Sequence, residues 1–256
     1  MTQFDFIQKD TENSVCTLTL NRPDKHNAFN EQVIFELKCA LQQADKEENN
    51  RVIIIKAEGS NFCAGADLNW MKRMAEFTRE ENEADALAFA DLLQLLSRLS
   101  KPTIALIQGR VMGGGVGLVA CCDIAIAVKD AQFCFSEVKL GLVPATIAPY
   151  IIRSIGYSSA RRYFLTAEVF NAVAAEKIGL IHQVINEKTE LLSTGHHFAE
   201  LIIKNGPHAL SIAKQLLNDL CPITENIVSQ TADLLANIRT SPEAREGIQK
   251  FLKGKI

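Results

Sequence analysis

Two glycine-bearing turns decide the fold of this chain: residues 62–68 read FCAGADL, and residues 112–118 read MGGGVGL. Each turn follows a strand-like run and leads into a helix-like run. Glycine lacks a Cβ, so the backbone can bend tightly there and another molecule can approach its N–H groups closely. A helix N-terminus also presents unpaired N–H donors and a partial positive charge. The two turns therefore predict a cradle of main-chain donors for a developing oxyanion.

The segments around the turns alternate between strand and helix patterns. Asn30 is a candidate N-cap of a helix whose apolar residues share one face, and the β-branched run 52–55 is typical of a buried strand. Beyond about residue 145 the pattern is almost wholly helical, with three or four amphipathic helices after about residue 190. We predict an α/β fold with a core over residues 1–190 and a helical oligomerisation region over 191–256. Further strands are predicted at 15–20, 103–108, 123–128, 132–135 and 181–185.

The composition is that of an ordinary globular protein. The chain has 256 residues, of which 47% are hydrophobic and 22% charged, and its net charge of -3 argues against nucleic acid as a main partner. No apolar run is long enough to span a bilayer, and the N-terminus lacks the basic start of a signal peptide, so we expect no membrane partner and a cytoplasmic location. The seven cysteines without a CxxC pair predict reduced, mostly buried thiols, and the scattered histidines predict no metal site.

A candidate acid–base residue follows the strand-like run 132–135. Glu137 stands at the end of this run, where apolar neighbours would raise its pKa and suit it to proton transfer. Two fixed N–H groups would stabilise an enolate, whose charge lies on a carbonyl oxygen, while this carboxyl group moves the proton. The alternative interpretation is a solvated loop carboxylate, and Ser136 with Glu137 also fits an ordinary helix start.

The second turn also fits another motif. Residues 115–120, GVGLVA, match the G-x-G-x-x-A fingerprint of dinucleotide-binding proteins, with Glu137 about 20 residues further on. The surrounding pattern fits less well, because the next strand begins within a few residues of Ala120 and leaves only a very short helix. The acidic residue should also end the second strand of the unit, a position nearer to Lys129 and Asp130. We therefore favour the oxyanion interpretation.

Several further motifs accompany the two glycine turns: 20–23 (LNRP), 27–29 (NAF), 108–109 (QG), 122–125 (CDIA), 133–137 (FCFSE) and 141–144 (GLVP). Together these motifs resemble those of the crotonase superfamily, also called the enoyl-CoA hydratase/isomerase family, over essentially the whole chain. The resemblance implies an α/β spiral of ββα units with a helical C-terminal trimerisation region, assembled as a homotrimer or a dimer of trimers. It implies an acyl-CoA thioester as substrate and no separate cofactor, because coenzyme A is part of the substrate.

Matching positions in the family assign roles to individual residues. By this resemblance, Ala66 and Gly114 supply the two oxyanion N–H groups, Glu137 is the acid–base residue, and Gly113 binds substrate beside them. Trp70 is either a packing residue or part of the acyl pocket. The remaining substrate-binding positions are Lys25, Ala28, Ala64, Asp67 and Leu68 along the coenzyme A channel, and Phe251 and Lys253, which often reach a neighbouring subunit's nucleotide.

Within the family, residues 66–74 (ADLNWMKRM) and 113–120 (GGGVGLVA) resemble bacterial methylglutaconyl-CoA hydratases of leucine degradation and related enzymes of acyclic terpene degradation. As we read this resemblance, glycine is tolerated at residue 117 in those relatives. Their substrates carry a second carboxylate, which Lys72 and Arg73 could meet. A solvated basic helix face is the better interpretation of these two residues.

One position departs from hydratases that hold the attacking water with two glutamates. The second glutamate matches Glu137, but the first falls at Gly117, which cannot position water or move a proton. Hydration by Glu137, alone or with a group from elsewhere in the chain, therefore stands beside a double-bond isomerase that uses Glu137 alone and beside an acyl-CoA binder without activity. A dehalogenase or dienoyl-isomerase role is disfavoured, because the aspartate of those enzymes falls at Ala145. We favour hydration of an enoyl-CoA.

Overall fold

The computed structural model describes residues 4–254, which alternate between strands and helices. The strands in this range are β1 (Ile7–Glu12), β2 (Val15–Leu20), β3 (Val52–Ala57), β4 (Thr103–Ile107), β5 (Arg110–Met112), β6 (Ile124–Val128), β7 (Gln132–Cys134), β8 (Phe170–Asn171) and β9 (Gln183–Ile185). The helices in this range are α1 (Glu31–Lys46), α2 (Leu68–Met74), α3 (Arg79–Arg98), α4 (Gly114–Cys121), α5 (Ala148–Thr166), α6 (Ala172–Lys177), α7 (Glu190–Ile203), α8 (Pro207–Leu220), α9 (Glu225–Arg239) and α10 (Pro242–Leu252).

The central layer is a six-stranded sheet with the strand order β1-β2-β3-β4-β6-β9. β1 runs antiparallel to β2, and every other neighbouring pair in this sheet is parallel. The side chains of Ile53, Ile54 and Ile55 in β3 are fully buried, as a continuous β-branched run predicts for a central parallel strand. The alternation of strand and helix patterns in the sequence thus corresponds to an α/β fold.

A second sheet of three strands turns the fold into a spiral. β5 and β7 pair in parallel, and β8 joins β7 in the antiparallel direction. The chain passes from β4 in the first sheet to β5 in the second and then into α4, and β6 and β7 repeat this path before the 3-10 turn Glu137–Leu140. A bridge between Cys63 and Val111 places the first glycine turn beside the same second sheet. The predicted spiral of ββα units is confirmed, and it brings the two glycine turns together.

Side-chain caps fix where the helices around these turns begin. The Oδ1 atom of Asn30 accepts a hydrogen bond of 2.9 Å from the N–H of Val33 at the start of α1, as predicted. Thr78 and Glu81 form a capping box at the start of α3. The buried stripe of α3 then packs against α1, α4 and α9. These contacts hold α3 in a fixed position beside both turns.

Four helices, α7 to α10, form the C-terminal part of the described chain. α7 packs against β4 and β6, α9 packs along α3, and α10 packs against the turn Glu137–Leu140. α8 leaves Leu216, Leu217 and Leu220 exposed. The division of the chain near residue 190 and the trimerisation role of this region stay predictions.

Three strands were missed by the sequence patterns. β5 has three residues and β8 has two, which is too short for an alternation to be recognised, and β1 is a largely exposed edge strand of mostly polar residues.

The seven cysteines all lie in the described range as free thiols, and five of them are buried, as predicted. Within residues 4–254, none of the helices combines the length and the apolar character that crossing a bilayer requires.

Candidate active site

The first glycine turn leaves one N–H group without an acceptor. The N–H of Phe29 donates to the carbonyl oxygen of Gly65 at 2.7 Å, and the N–H of Asp67 donates to the carbonyl oxygen of Phe29 at 2.8 Å. Gly65 has a φ of +93°, a conformation that costs glycine little and other residues much. The N–H of Ala66, between these two paired positions, has no acceptor within residues 4–254. It is therefore free to bind a ligand.

Asp67 holds this turn in place. Its Oδ1 atom accepts hydrogen bonds from the N–H groups of Asn69 and Trp70 at the start of α2, and its Oδ2 atom pairs with Arg22 at 2.9 Å. Burial alone would raise the pKa of Asp67, but the two N–H donors and the Arg22 charge outweigh it, so the pKa lies below its usual value. Asp67 acts here as the N-cap of α2.

The second glycine turn also leaves one N–H group without an acceptor. Gly113 has a φ of +49°, and its N–H donates to the carbonyl oxygen of Cys134 at 2.9 Å. Gly114 is the first residue of α4, where the N–H groups have no partner inside the helix. Its N–H has no acceptor in the described part of the chain. Ala66 and Gly114 therefore each present an unpaired donor, and the oxyanion role that the family resemblance implies for them stays a prediction.

Glu137 lies beside the second turn. Its Oε1 atom is 3.1 Å from the position that a Cβ on Gly113 would occupy, and its Oε2 atom is buried without a hydrogen-bond partner. The residue as a whole keeps some exposed surface, whereas its carboxyl end is enclosed. Burial raises the pKa of Glu137 from its ordinary 4.5 to about 7, although a hydrogen bond from its own N–H opposes the rise. The alternative of a solvated loop carboxylate is therefore wrong.

These groups share one cavity of about 140 Å³. Because a cavity of roughly 10–15 Å³ on this measure already holds a water molecule, there is room for a small organic group. Most of the wall is apolar, and Glu137 and Arg239 are the charged residues among those described that line it. The apolar wall includes Phe29, Met71, Met74, Phe89, Leu140, Leu142, Val143, Ile147, Leu235, Ile248 and Phe251. α9 and α10 thus close the cavity of their own chain.

Gly117 does not face open space. A Cβ at this position would lie 2.3 Å from Cγ2 of Ile147 and 3.6 Å from Cδ1 of Leu93. Non-bonded contacts under 3.0 Å are essentially never seen for real Cβ atoms, so no side chain fits here while Ile147 keeps its place. Ile147 itself lines the cavity. An apolar side chain from a different segment therefore fills the space beside Gly117, the position that the family resemblance gives to the first glutamate of a hydratase.

The cavity unites seven of the predicted site residues and leaves five outside its wall. Lys25, Leu68 and Lys253 are exposed, and Ala28 and Asp67 are buried elsewhere; their predicted contacts with coenzyme A stay predictions. The predicted site residues that line the cavity are Ala64, Ala66, Trp70, Gly113, Gly114, Glu137 and Phe251.

Lys72 and Arg73 lie outside this cavity. Lys72 is exposed, and the Nη2 group of Arg73 donates to both carboxylate oxygens of Glu31, at 2.6 and 2.7 Å, on the surface. The interpretation as a solvated basic helix face is therefore correct for both residues.

Sequence reasoning missed the charged group at the cavity wall. Arg239 pairs with Asp85 at 2.6 Å, and the Nε1–H of Trp70 donates to the other oxygen of Asp85 at 3.0 Å. Burial raises the pKa of Asp85, although Arg239 and Trp70 oppose the rise. One signal was available: Asp85 precedes Phe89 and Leu92 at helical spacing, so a carboxylate stands on the apolar stripe of α3.

The fold and the cavity define a class of protein: a ββα spiral that presents two main-chain N–H donors and one buried carboxyl group to an apolar cavity. The chain belongs to the enoyl-CoA hydratase/isomerase family of the crotonase superfamily, because the family model of that description matches residues 10–255.

Similar proteins agree on the family and divide over the reaction. The crotonyl-CoA hydratase of Syntrophomonas wolfei is 30% identical and the match covers 98% of this chain and 96% of that protein. The 1,2-epoxyphenylacetyl-CoA isomerase of Escherichia coli is also 30% identical, with 97% and 95% covered. A crystal structure of an enoyl-CoA hydratase from Shewanella pealeana is 40% identical, with 99% and 95% covered and a TM-score of 0.83. These relatives indicate an enzyme, and they do not separate hydration from isomerisation.

Proposed function

We propose that this enzyme is an enoyl-CoA hydratase, which adds water across the α,β double bond of an acyl-CoA thioester through an enolate. The proposal rests on one observation: a buried carboxyl group with one unpartnered oxygen and two residues with unpaired main-chain donors line the same apolar cavity. Preorganised donors in such a cavity stabilise a developing oxyanion strongly. A methylglutaconyl-like acyl group is the finer form of the proposal and comes from the sequence resemblance.

One carboxylate can carry out both proton transfers. Ionised Glu137 accepts a proton from water while the water oxygen bonds to Cβ and the π electrons move to the carbonyl oxygen. The N–H groups of Ala66 and Gly114 donate to this enolate oxygen. Glu137 then gives the proton to Cα, and the thioester carbonyl forms again. A pKa of about 7 suits a group that must accept and then release a proton near neutral pH.

Two hydroxyl groups can make the contacts to water that a second glutamate would otherwise make. Ser136 and Thr146 line the cavity, and their hydroxyl groups have no hydrogen-bond partner within residues 4–254. A hydroxyl group both donates and accepts hydrogen bonds, so either one can orient a water molecule towards Glu137. Orientation is all that these groups would supply, because proton transfer is assigned to Glu137.

The test is the hydration of crotonyl-CoA by the enzyme and by Glu137→Gln. We expect the variant to lower kcat by about a hundredfold to ten-thousandfold, with little change in the calorimetric affinity for a saturated acyl-CoA. Glu200→Gln, which removes an exposed carboxylate of α7, is the matched control. An unchanged kcat in Glu137→Gln would refute the assignment of the acid–base residue. Binding without turnover in the unaltered protein would favour the acyl-CoA binder.

A second function, double-bond isomerisation, is favoured by the filled space at Gly117. One carboxylate that removes and returns a proton is sufficient to move a double bond, and no second acid lines the cavity within residues 4–254. The experiment offers a 3-enoyl-CoA and crotonyl-CoA side by side. Conversion of the first without water addition to the second would support the isomerase, whereas measurable hydration would rule out an enzyme that only isomerises.

A further inference from the structure

The guanidinium group of Arg239 is held rigidly at the cavity wall. The Arg239 side chain is only 11% exposed, and its partner Asp85 is 9% exposed. Both oxygens of Asp85 are engaged, one by Arg239 at 2.6 Å and the other by the Nε1–H of Trp70 at 3.0 Å. Because Asp85 is fixed on α3 and Trp70 on α2, this arrangement orients the guanidinium group rather than merely neutralising it.

Most of the hydrogen-bonding capacity of this guanidinium group is unused. Arginine carries five N–H donors in a planar fork, and a single one donates to a partner in the described part of the chain. Arg239 is among the residues that line the cavity, together with Glu137, Ala66 and Gly114. A buried cation with free donors next to a binding cavity is an incomplete site for an acceptor group.

Fold stability is a weak reason for a buried ion pair at this position. A buried ion pair is often no more stabilising than apolar side chains of similar volume, because both charges lose their hydration. α9 is also tied to α3 by a surface pair, in which Arg79 contacts Asp233 and donates to Asn237 at 2.8 Å. An apolar residue at position 239 would extend the apolar wall beside Leu235 and Ala86.

We propose that Arg239, oriented by Asp85 and Trp70, binds a carboxylate at the far end of the substrate's acyl group. A carboxylate matches the fork of N–H donors with two parallel hydrogen bonds. The apolar residues that line the same cavity, which include Met74, Ala86 and Leu235, suit an acyl chain. The inference rests on the proposed function for the identity of the thioester, and it makes Arg239 a specificity-determining residue for acyl groups with a terminal negative charge.

The test measures recognition without turnover. Calorimetry compares glutaryl-CoA with the thioester in which an isopropyl group replaces the terminal carboxylate. We expect the enzyme to bind glutaryl-CoA about tenfold more tightly or better, and Arg239→Gln to lose this preference while its affinity for the isopropyl thioester changes less than about threefold. Arg79→Gln removes a cation that also links α3 to α9 but lies outside the cavity, so this variant should keep the preference for glutaryl-CoA.

Several results would overturn the inference. Equal affinities of the unaltered enzyme for the two thioesters would do so without any variant. Equal weakening of both by Arg239→Gln would show that Arg239 acts on coenzyme A or on the shape of the cavity. If the single variant fails to fold, the double variant Asp85→Asn, Arg239→Gln removes both charges together and should bind the two thioesters equally. Failure to hydrate both crotonyl-CoA and methylglutaconyl-CoA would refute the proposed reaction but would leave this binding comparison intact.

Discussion

Glu137 and Asp85 are two enclosed carboxyl groups with different surroundings: Glu137 lines the cavity, whereas Asp85 lies behind the lining residues Arg239 and Trp70. Burial raises the pKa of both. Asp85 is compensated by Arg239 and by the Nε1–H of Trp70, whereas the Oε2 atom of Glu137 has no partner. A carboxylate with both oxygens engaged is fixed in place, and one with an unpartnered oxygen can exchange a proton there. In the proposed function this difference separates a residue that orients, Asp85, from a residue that reacts, Glu137.

The largest effect should follow the removal of Asp85. Asp85→Ala leaves Arg239 as a buried charge without its partner, and we expect a loss of about 3–5 kcal/mol in the free energy of unfolding, measured by chemical denaturation. The control is Asp233→Ala, which breaks an ion pair whose members are 43% and 44% exposed and should cost less than about 1 kcal/mol. Equal losses of unfolding free energy in the two variants would contradict the expected difference between the ion pair at the cavity and the ion pair at the surface.

Glu137→Gln should instead raise the free energy of unfolding, since it removes a destabilising charge. Above pH 4.5 the unfolded chain releases the Glu137 proton, whereas the folded chain keeps it up to about pH 7. The free energy of unfolding therefore falls as the pH rises from 4.5 to about 7, and the difference between these two pKa values corresponds to roughly 3 kcal/mol. We expect the variant to be more stable than the unaltered enzyme by up to that amount at about pH 8, and equally stable near pH 4. Thermal unfolding at the two pH values measures this, and a gain independent of pH would contradict it.

Gly117→Ala tests whether the missing acid reflects a filled space. The added Cβ would overlap Ile147, so we expect a loss of about 1–3 kcal/mol in the free energy of unfolding. Combining it with Ile147→Ala opens the space, and the cost of Gly117→Ala should then become much smaller. Additive losses in the double variant would show that Ile147 is not what excludes a side chain at this position.

The sequence predicted those parts of the site that depend on local pattern. The two turns need glycine at Gly65 and Gly113 for a positive φ, and a helix start such as Gly114 leaves free donors wherever it occurs. Ile147 against Gly117 is a contact between separate segments, and Arg239 meets Asp85 across 154 positions. Neither pairing leaves a periodic trace in the sequence. The glycine turns and Glu137 could therefore be predicted from local pattern, and the family resemblance named Ala66 and Gly114 as the donors, whereas the filled space and the oriented cation required the packed structure.

The pH dependence of catalysis gives the smallest effect and the most direct contrast between the two carboxyl groups. Because the proposed mechanism starts from ionised Glu137, kcat/KM should fall about tenfold for each pH unit below the pKa of about 7. Arg79→Gln should show the same profile, since it changes charge away from the cavity. The residual kcat/KM of Glu137→Gln should not fall in this way below pH 7. If the fall persists in Glu137→Gln, another group titrates, and Asp85 is the next carboxyl group to test.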